Sequence, residues 1–225
     1  MSAGGPVAVP AVADGSLGEI LDAAARGVFP PPDGGVTVVP QPSPHTAGVV
    51  SFCAHAVVFT DADPRWVHDT LAADPGDPLA APLCPPFLGA LSAHTGRLVN
   101  NIDMVVQTRP LPGPPPLALR EIDDPGHPRV ARALRHRDDV RVWAADGGVA
   151  VLGRGLAGRW EAAVEVDAGT RGRGLGRALA LALRHLVPEG APLWAQIAPG
   201  NAPSVRAFQA AGYRPIGAEA LLVRR

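Results

Sequence analysis

The 225-residue chain reads as an α/β protein: a mixed, mostly antiparallel sheet flanked by helices, with an N-terminal α/β lobe in front of it. Three observations predict this. In the C-terminal half the apolar pattern runs hairpin, strand, glycine-rich turn, helix, strand, helix, strand, which is not the regular alternation of a doubly wound sheet. Hydrophobic residues make up 47% of the chain, enough for a buried core. The stretch Arg109-Pro-Leu-Pro-Gly-Pro-Pro-Pro-Leu117 concentrates prolines, which remove backbone donors and fix φ, so no helix or central strand runs through it. It sets a linker at 111–116 between a lobe at 16–110 and a domain at 117–225. Residues 1–15, rich in Gly, Ala, Pro and Val, are expected to be poorly ordered.

The elements follow in order. Ser16 caps a helix to about Arg26, and Glu19 three residues on completes a capping box. Asp33-Gly34-Gly35 turns the chain into a strand at Val36–Val39, and Val49–Thr60 is one longer β-rich run. Asp63-Pro64 opens a helix to about Ala73. Pro85-Pro86 opens another to about His94, and Ile102–Gln107 is β-like. In the second half Leu117–Ile122 is a strand and Pro128–Arg137 a helix. Asp139–Ala144 and Gly148–Gly153 pair across Ala145-Asp146-Gly147, and Arg159–Asp167 is the next strand. A turn at Ala168–Leu175 leads into a helix to about Val187, whose Leu175, Leu179, Ala182 and Leu186 fall at core spacing. Pro192–Ala198 is a strand, Ala202–Ala211 a helix, and Tyr213–Ile216 with Ala218–Val223 end the chain. Trp143, Trp160 and Trp194 lie in or beside strands and are expected to pack in the core.

Composition excludes several classes. A net charge of −1 with 18% charged residues rules out a basic nucleic-acid arm or an acidic disordered tail as the main theme. Cys53 and Cys84 cannot frame a chain this long and read as buried thiols of a reducing compartment. They lack the paired spacings of a zinc site, so no metal is expected. Residues 1–10 have no positive n-region and carry prolines where a signal sequence needs an apolar run. The longest apolar stretch, Val49–Phe59, is too short to span a bilayer. A cytoplasmic location is therefore expected. In the N-terminal lobe His45, His55, His68, His94, Asp61, Asp63 and Asp69 are scattered and read as surface or satisfied polar groups.

The chemistry concentrates in Arg171-Gly172-Arg173-Gly174-Leu175-Gly176-Arg177. Glycines at alternate positions let successive N–H groups curl into one concavity. The helix start adds orphan donors and a partial positive charge, which together suit a phosphate or pyrophosphate. Arg173 and Arg177 add formal charge beside it. A Walker loop needs a lysine, which the chain lacks, and Gly-x-Gly-x-x-Gly fails because Arg177 and Leu179 stand at the sixth positions.

Arg171-x-x-Gly174-x-Gly176 resembles the (Gln/Arg)-x-x-Gly-x-(Gly/Ala) loop of the GNAT superfamily of acyl-CoA-dependent N-acyltransferases. Downstream, Asn201-Ala-Pro-Ser204-Val-Arg-Ala-Phe208-Gln-Ala-Ala-Gly212-Tyr213 is similar to that family's Asn-x-x-(Ser/Ala)-x-x-x-(Tyr/Phe)-x-x-x-Gly-(Phe/Tyr) helix. Asn201 is equally a good N-cap, and Gly212 suits a helix end. The likeness covers 117–225. It also lets the helix, strand-pair, helix, strand order of 16–110 be read as a degenerate GNAT-like half.

The resemblance implies an acetyl-CoA-dependent N-acetyltransferase in which a primary amine attacks the thioester directly. Pantetheine would lie along Val164-Glu165-Val166 and the pyrophosphate on the amides of Gly172–Arg177, with Arg171 in the same loop. Asn201, Ser204 and Phe208 would complete the cofactor set. The strand would splay from its neighbour at Pro192–Ala198, and a strand amide there would donate to the thioester oxygen. Phe208 stands where many members carry a tyrosine acid, and Gln196 where others carry a glutamate. Glu161 is the candidate base, and Glu165 shares its side-chain parity. The implied partners are acetyl-CoA, an amine acceptor and a second copy of the chain, with neither nucleic acid nor membrane. The alternative is a non-catalytic acyl-CoA-binding sensor.

Overall fold

The computed structural model describes residues 15–224, so the expectation for 1–15 falls, up to residue 14, outside the described residues. The chain divides into two compact units: a first up to Val99, together with the chain end from Leu222, and a second, Asn100–Leu221.

In the first unit α1 (Leu17–Ala25) starts on the expected capping box, Ser16 Oγ accepting from Glu19 N while the Glu19 carboxylate accepts from Ser16 N. Strand β1 (Val36–Val39) runs parallel to β3 (His55–Phe59), which is antiparallel to β2 (Thr46–Phe52). The single run expected over Val49–Thr60 is therefore a hairpin, turning at Cys53-Ala54, where Ala54 adopts φ 55°. An unbroken apolar pattern hid the turn because neither residue is a usual turn former. Helices α2 (Pro64–Ala72) and α3 (Pro85–Thr95) complete the unit. Cys53 is exposed on the hairpin turn and Cys84 half-buried before α3, so neither is the buried thiol the sequence suggested. His55 is satisfied on both ring nitrogens, by Asp33 at 2.8 Å and Thr37 at 2.9 Å. Bonding to His55 and to Gly35 N holds the Asp33 carboxyl below its ordinary pKa.

The second unit holds β4 (Leu98–Thr108, from Asn100 on), β5 (Arg120–Ile122), α4 (Pro128–His136), β6 (Asp138–Ala145), β7 (Gly148–Arg154), β8 (Trp160–Val166), α5 (Leu175–Leu186), β9 (Leu193–Ile197), α6 (Ala202–Ala210) and β10 (Arg214–Val223). Its strand order is β10-β4-β9-β8-β7-β6-β5. Strand β4 pairs antiparallel with β9, the neighbours from β8 to β5 are antiparallel, and β8 with β9 is parallel. The mixed, mostly antiparallel sheet expected from the sequence is thus present. The two closing strands merge into one, because a glycine such as Gly217 weakens a strand without ending it.

Strand β4 explains where the division falls. It pairs with β9, so the break comes at Val99/Asn100 and not in the proline-rich segment. That segment is itself tied to α5: Leu111 N donates to Arg184 O at 2.8 Å, and Arg184 Nε donates to Arg109 O at 3.0 Å.

Two faces of this sheet are covered separately. On one, α5 and α6 bury Trp143, Leu152, Trp160, Leu193 and Ile197 against Leu179, Leu183 and Phe208. On the other, α4 lays Val130 and Ala133 over Val142 and Val151. Each fully buried leucine contributes about 1.5–3 kcal/mol. No helix among the described residues is long and apolar enough to cross a membrane.

Candidate functional site

Strand β8 pairs with β7 along its whole length, from Trp160 opposite Arg154 to Val166 opposite Gly148. Its ladder with β9 stops after two pairs, Trp160 with Leu193 and Glu161 with Trp194. Beyond Glu161 the two strands part, although β9 continues to Ile197 against β4. Among the described residues, the edge of Ala162–Val166 that faces β9 has no strand partner. Backbone groups in such an edge need an alternative partner, and the gap runs along Val164-Glu165-Val166, the segment along which the resemblance implies pantetheine, beside a strand expected to splay from Pro192–Ala198.

The gap leads to the glycine-rich turn. Gly172 (φ 79°) and Gly174 (φ 84°) are both left-handed, a conformation that costs an L-residue about 1–2 kcal/mol. Gly174 caps α5 with no side-chain hydrogen bond. The amides of Leu175, Gly176 and Arg177 have no protein acceptor among the described residues; the first helical bond runs from Ala178 N to Gly174 O at 3.1 Å. Arg171 to Gly174 are exposed, Leu175 and Gly176 half-buried, and Arg177 exposed. No ion pair engages Arg173 or Arg177 among the described residues, while Arg171 Nε donates to Val166 O at 3.3 Å. The turn therefore presents free amides and free cations to solvent.

Helix α6 stands beside it. A β-carbon on Gly176 would lie 3.6 Å from Val166 Cγ2 and 3.8 Å from Ala207 Cβ, so the loop glycine sits close to both the strand end and α6. Asn201 caps α6, its Oδ1 accepting from Ser204 N at 3.2 Å, and its amide nitrogen has no acceptor among the described residues. Ser204 is half-buried in the first turn. Phe208, in contrast, is buried and meets Tyr213 edge-on at 4.8 Å. Its ring packs the core. Tyr213 donates to Ala180 O at 3.1 Å, and burial pushes its phenol pKa up, so it is a core residue as well.

The face under α4 is polar at the mouth of the gap. Glu161 is nearly sealed. Its Oε2 accepts from Arg137 Nε at 2.9 Å, and its Oε1 from Arg159 Nε at 2.9 Å, Leu156 N at 3.2 Å and Gln196 Nε2 at 3.2 Å. Arg159 also reaches Glu219 Oε1 at 2.9 Å, and Gln196 donates to the same oxygen. Burial would raise the Glu161 pKa, but the guanidiniums of Arg159 and Arg137 outweigh it and hold the carboxyl below its ordinary value. Glu165, half-buried, pairs with Arg129 at 2.9 Å. Sequence reasoning found Glu161 and Gln196 but missed Arg159, Arg137 and Glu219. A glutamate inside Ala218-Glu219-Ala220-Leu221-Leu222 was the available signal, since a charge in an apolar strand needs a buried partner.

Gly155 was missed too. A β-carbon there would collide with the Glu161 carboxyl group. Gly155→Ala is expected to lose about 1–3 kcal/mol by overpacking, read from urea unfolding; an unchanged midpoint would show the carboxylate free to move aside.

Residues 162–222 match the family model described as FR47-like protein. No curated protein matches the chain. Among solved structures the chain is similar to a GCN5-related N-acetyltransferase from Kribbella flavida, with 18% identity over 62% of this chain and 64% of that one, at a TM-score of 0.41. It is similar to a GCN5-related N-acetyltransferase from Sphaerobacter thermophilus at 16% identity, covering 60% and 55%, with a TM-score of 0.38. It is also similar to a tandem GNAT protein from the clavulanic acid biosynthesis pathway at 16% identity, covering 79% and 62%, with a TM-score of 0.39. The chain spans between 55% and 64% of the length of these three structures.

Proposed function

From the match of residues 162–222 to the FR47-like model, together with the geometry of the second unit, we propose that the chain binds acetyl-CoA and transfers its acetyl group to a primary amine. The observation that carries this is the two-pair ladder between β8 and β9, which opens an unpartnered strand edge leading into an uncapped helix start. Pantetheine, an extended chain of amides, supplies the partner that the edge of Val164-Glu165-Val166 lacks. The diphosphate fits the amides of Leu175, Gly176 and Arg177, with Arg171, Arg173 and Arg177 around it. Asn201 and Ser204 border the arm from α6, with the Asn201 amide nitrogen as donor. Phe208 drops out of this set because it lies in the core.

Acetyl-CoA supplies an activated acyl carbon. A β8 amide at the gap stabilises charge on the thioester oxygen as the amine attacks. The C–N bond forms, the C–S bond breaks, and CoA thiolate leaves with the electron pair. Free thiols titrate near about 8.5, so the thiolate leaves without an obligatory acid, and the absence of a tyrosine at position 208 is no obstacle. Glu161 belongs to the scaffold in this reading: a buried carboxylate that accepts from two guanidiniums, an amide and a glutamine side chain, and whose pKa the guanidiniums hold down, is a poor base for an amine.

Sequestered Glu161 and buried Phe208 also favour a second reading, a sensor that holds acyl-CoA without turnover. One experiment separates them. Acetyl-CoA at about a hundred times its Kd should stabilise the protein by about 2.7 kcal/mol, seen as a rise in Tm, whereas acetyl-pantetheine, lacking the diphosphate, should bind far more weakly. Thiol release with a panel of primary amines identifies the enzyme; tight binding with no release identifies the sensor. No stabilisation by acetyl-CoA would overturn both readings.

A further inference from the structure

If Glu161 is closed off, a proton acceptor for the incoming ammonium must come from elsewhere on the same face. Strand β4 supplies one. Its register with β9 ends at Met104 opposite Ile197, with Val105 opposite Gln196. Asp103 therefore lies one step beyond the end of the ladder, on the side toward which the gap between β8 and β9 opens. By strand alternation it shares the face of Val105 and hence of Gln196, whose side chain bonds Glu161 and Glu219. Only one strand, β9, separates β4 from the gap, a spacing of about 4.8 Å per strand.

The charges on this face single Asp103 out. Arg159 and Arg137 balance Glu161 and Glu219 in direct ion pairs. Glu165 pairs with Arg129, whereas Asp103, on the same face, takes part in no ion pair among the described residues. Its Oδ1 accepts from Asn101 Nδ2 at 2.7 Å, and no described residue donates to its Oδ2. Glu219, close enough for its charge to act on Asp103, is 1% exposed, and its Oε2 has no hydrogen-bond partner among the described residues. An unpartnered buried carboxylate oxygen next to an unpaired, half-buried carboxylate calls for a cation with N–H donors.

We propose that Asp103 receives the acceptor's ammonium group, with Glu219 as its neighbour, and takes the proton that must leave before attack. The proposal rests on the acyl-transfer reading above. The step balances as follows. The Asp103 carboxylate takes one proton from R–NH3+, leaving R–NH2 to attack the acetyl carbon. As the amide forms, the nitrogen loses a second proton and the departing CoA thiolate takes one up. Asp103 then returns its proton to solvent. Three groups face the Asp103 carboxyl and set its titration. Partial burial raises its pKa first, the Glu219 carboxylate from β10 raises it further, and the Asn101 hydrogen bond and Arg132 from α4 lower it by less. A base drawn upward from the ordinary aspartate range is better matched to an ammonium at neutral pH.

The test compares wild type, Asp103→Asn and Asp103→Glu, with n-propylamine, glycine and a lysine-containing peptide as acceptor probes. Acetyl-CoA affinity should stay within about twofold in both variants, because the diphosphate loop and β8 are untouched. Thiol release by Asp103→Asn should fall roughly 10²–10⁴-fold, and its rate should climb with pH as the free amine appears in solution. Asp103→Glu should recover part of the loss. Equal turnover and the same pH profile in wild type and Asp103→Asn would overturn the proposal while leaving the acyl-transfer reading intact. Tight acetyl-CoA binding by wild type with no thiol release from any probe would overturn both, in favour of the sensor.

Discussion

Arg159→Met should destabilise the fold by about 3–5 kcal/mol. Arg159 is 7% exposed and its side chain is bonded to two carboxylates, Glu161 and Glu219. Two competing terms decide the outcome. The ion pairs themselves add little over an apolar replacement of equal volume, because desolvating three charges offsets most of their attraction. Removing only the cation is different, since it leaves Glu219 buried with no counter-ion and Glu161 with Arg137 alone. Methionine keeps most of the volume beside Trp194, over whose ring the guanidinium lies at 5.2 Å, so the loss reports charge and not a cavity. Equilibrium urea unfolding measures it, and the double substitution Arg159→Met with Glu219→Met should recover most of the stability. A single variant within 1 kcal/mol of wild type would mean that water enters this site and the ions are not sealed.

The sign of the pH dependence follows from the same network. Glu161 has a folded-state pKa below its unfolded value, so its contribution to stability is complete above about 4.3. It is lost as pH falls through the lower folded-state value.

These buried ions also show what a single sequence can and cannot convey. The glycine loop and the two strands on either side of the gap were legible because their signals are local: φ-permissive residues at fixed spacing, and apolar runs bounded by turn formers. The capping box at Ser16 and Glu19, the hairpin turn at Asp146-Gly147 and the Asn201 cap were legible for the same reason. The insertion of β4 beside β9 was not, since nothing in the residues Leu98–Thr108 says which lobe the strand will join, and the proline-rich segment after it suggested the opposite. Asp103 became visible only once that pairing carried it to the end of β9. Glu161 was found by position on its strand, but its partners were not, because Arg159, two residues away, and Gln196 and Arg137, farther along the chain, meet it only in the folded chain.

Gly174→Val should weaken acetyl-CoA binding by roughly 100-fold or more while costing the fold only about 1–2 kcal/mol. The asymmetry comes from where the residue sits. A β-carbon on Gly174 meets no atom of the described residues within 4 Å, so nothing there clashes, and the penalty is confined to forcing a β-branched residue to φ 84°. The chain escapes that penalty by rotating out of the left-handed region. Rotation swings the amides of Leu175 and Gly176 away from a common focus, and a diphosphate held by converging main-chain donors loses several of them together. Each charge-assisted hydrogen bond contributes about 1.5–3 kcal/mol, so losing one or two accounts for the expected factor, since 1.4 kcal/mol corresponds to tenfold in affinity. Titration calorimetry with acetyl-CoA and with acetyl-pantetheine isolates the effect. The variant should lose affinity for the first and little for the second, which never touches the loop. Equal losses for both ligands would place the damage in the pantetheine groove, and an unchanged affinity for acetyl-CoA would remove the loop from the binding site.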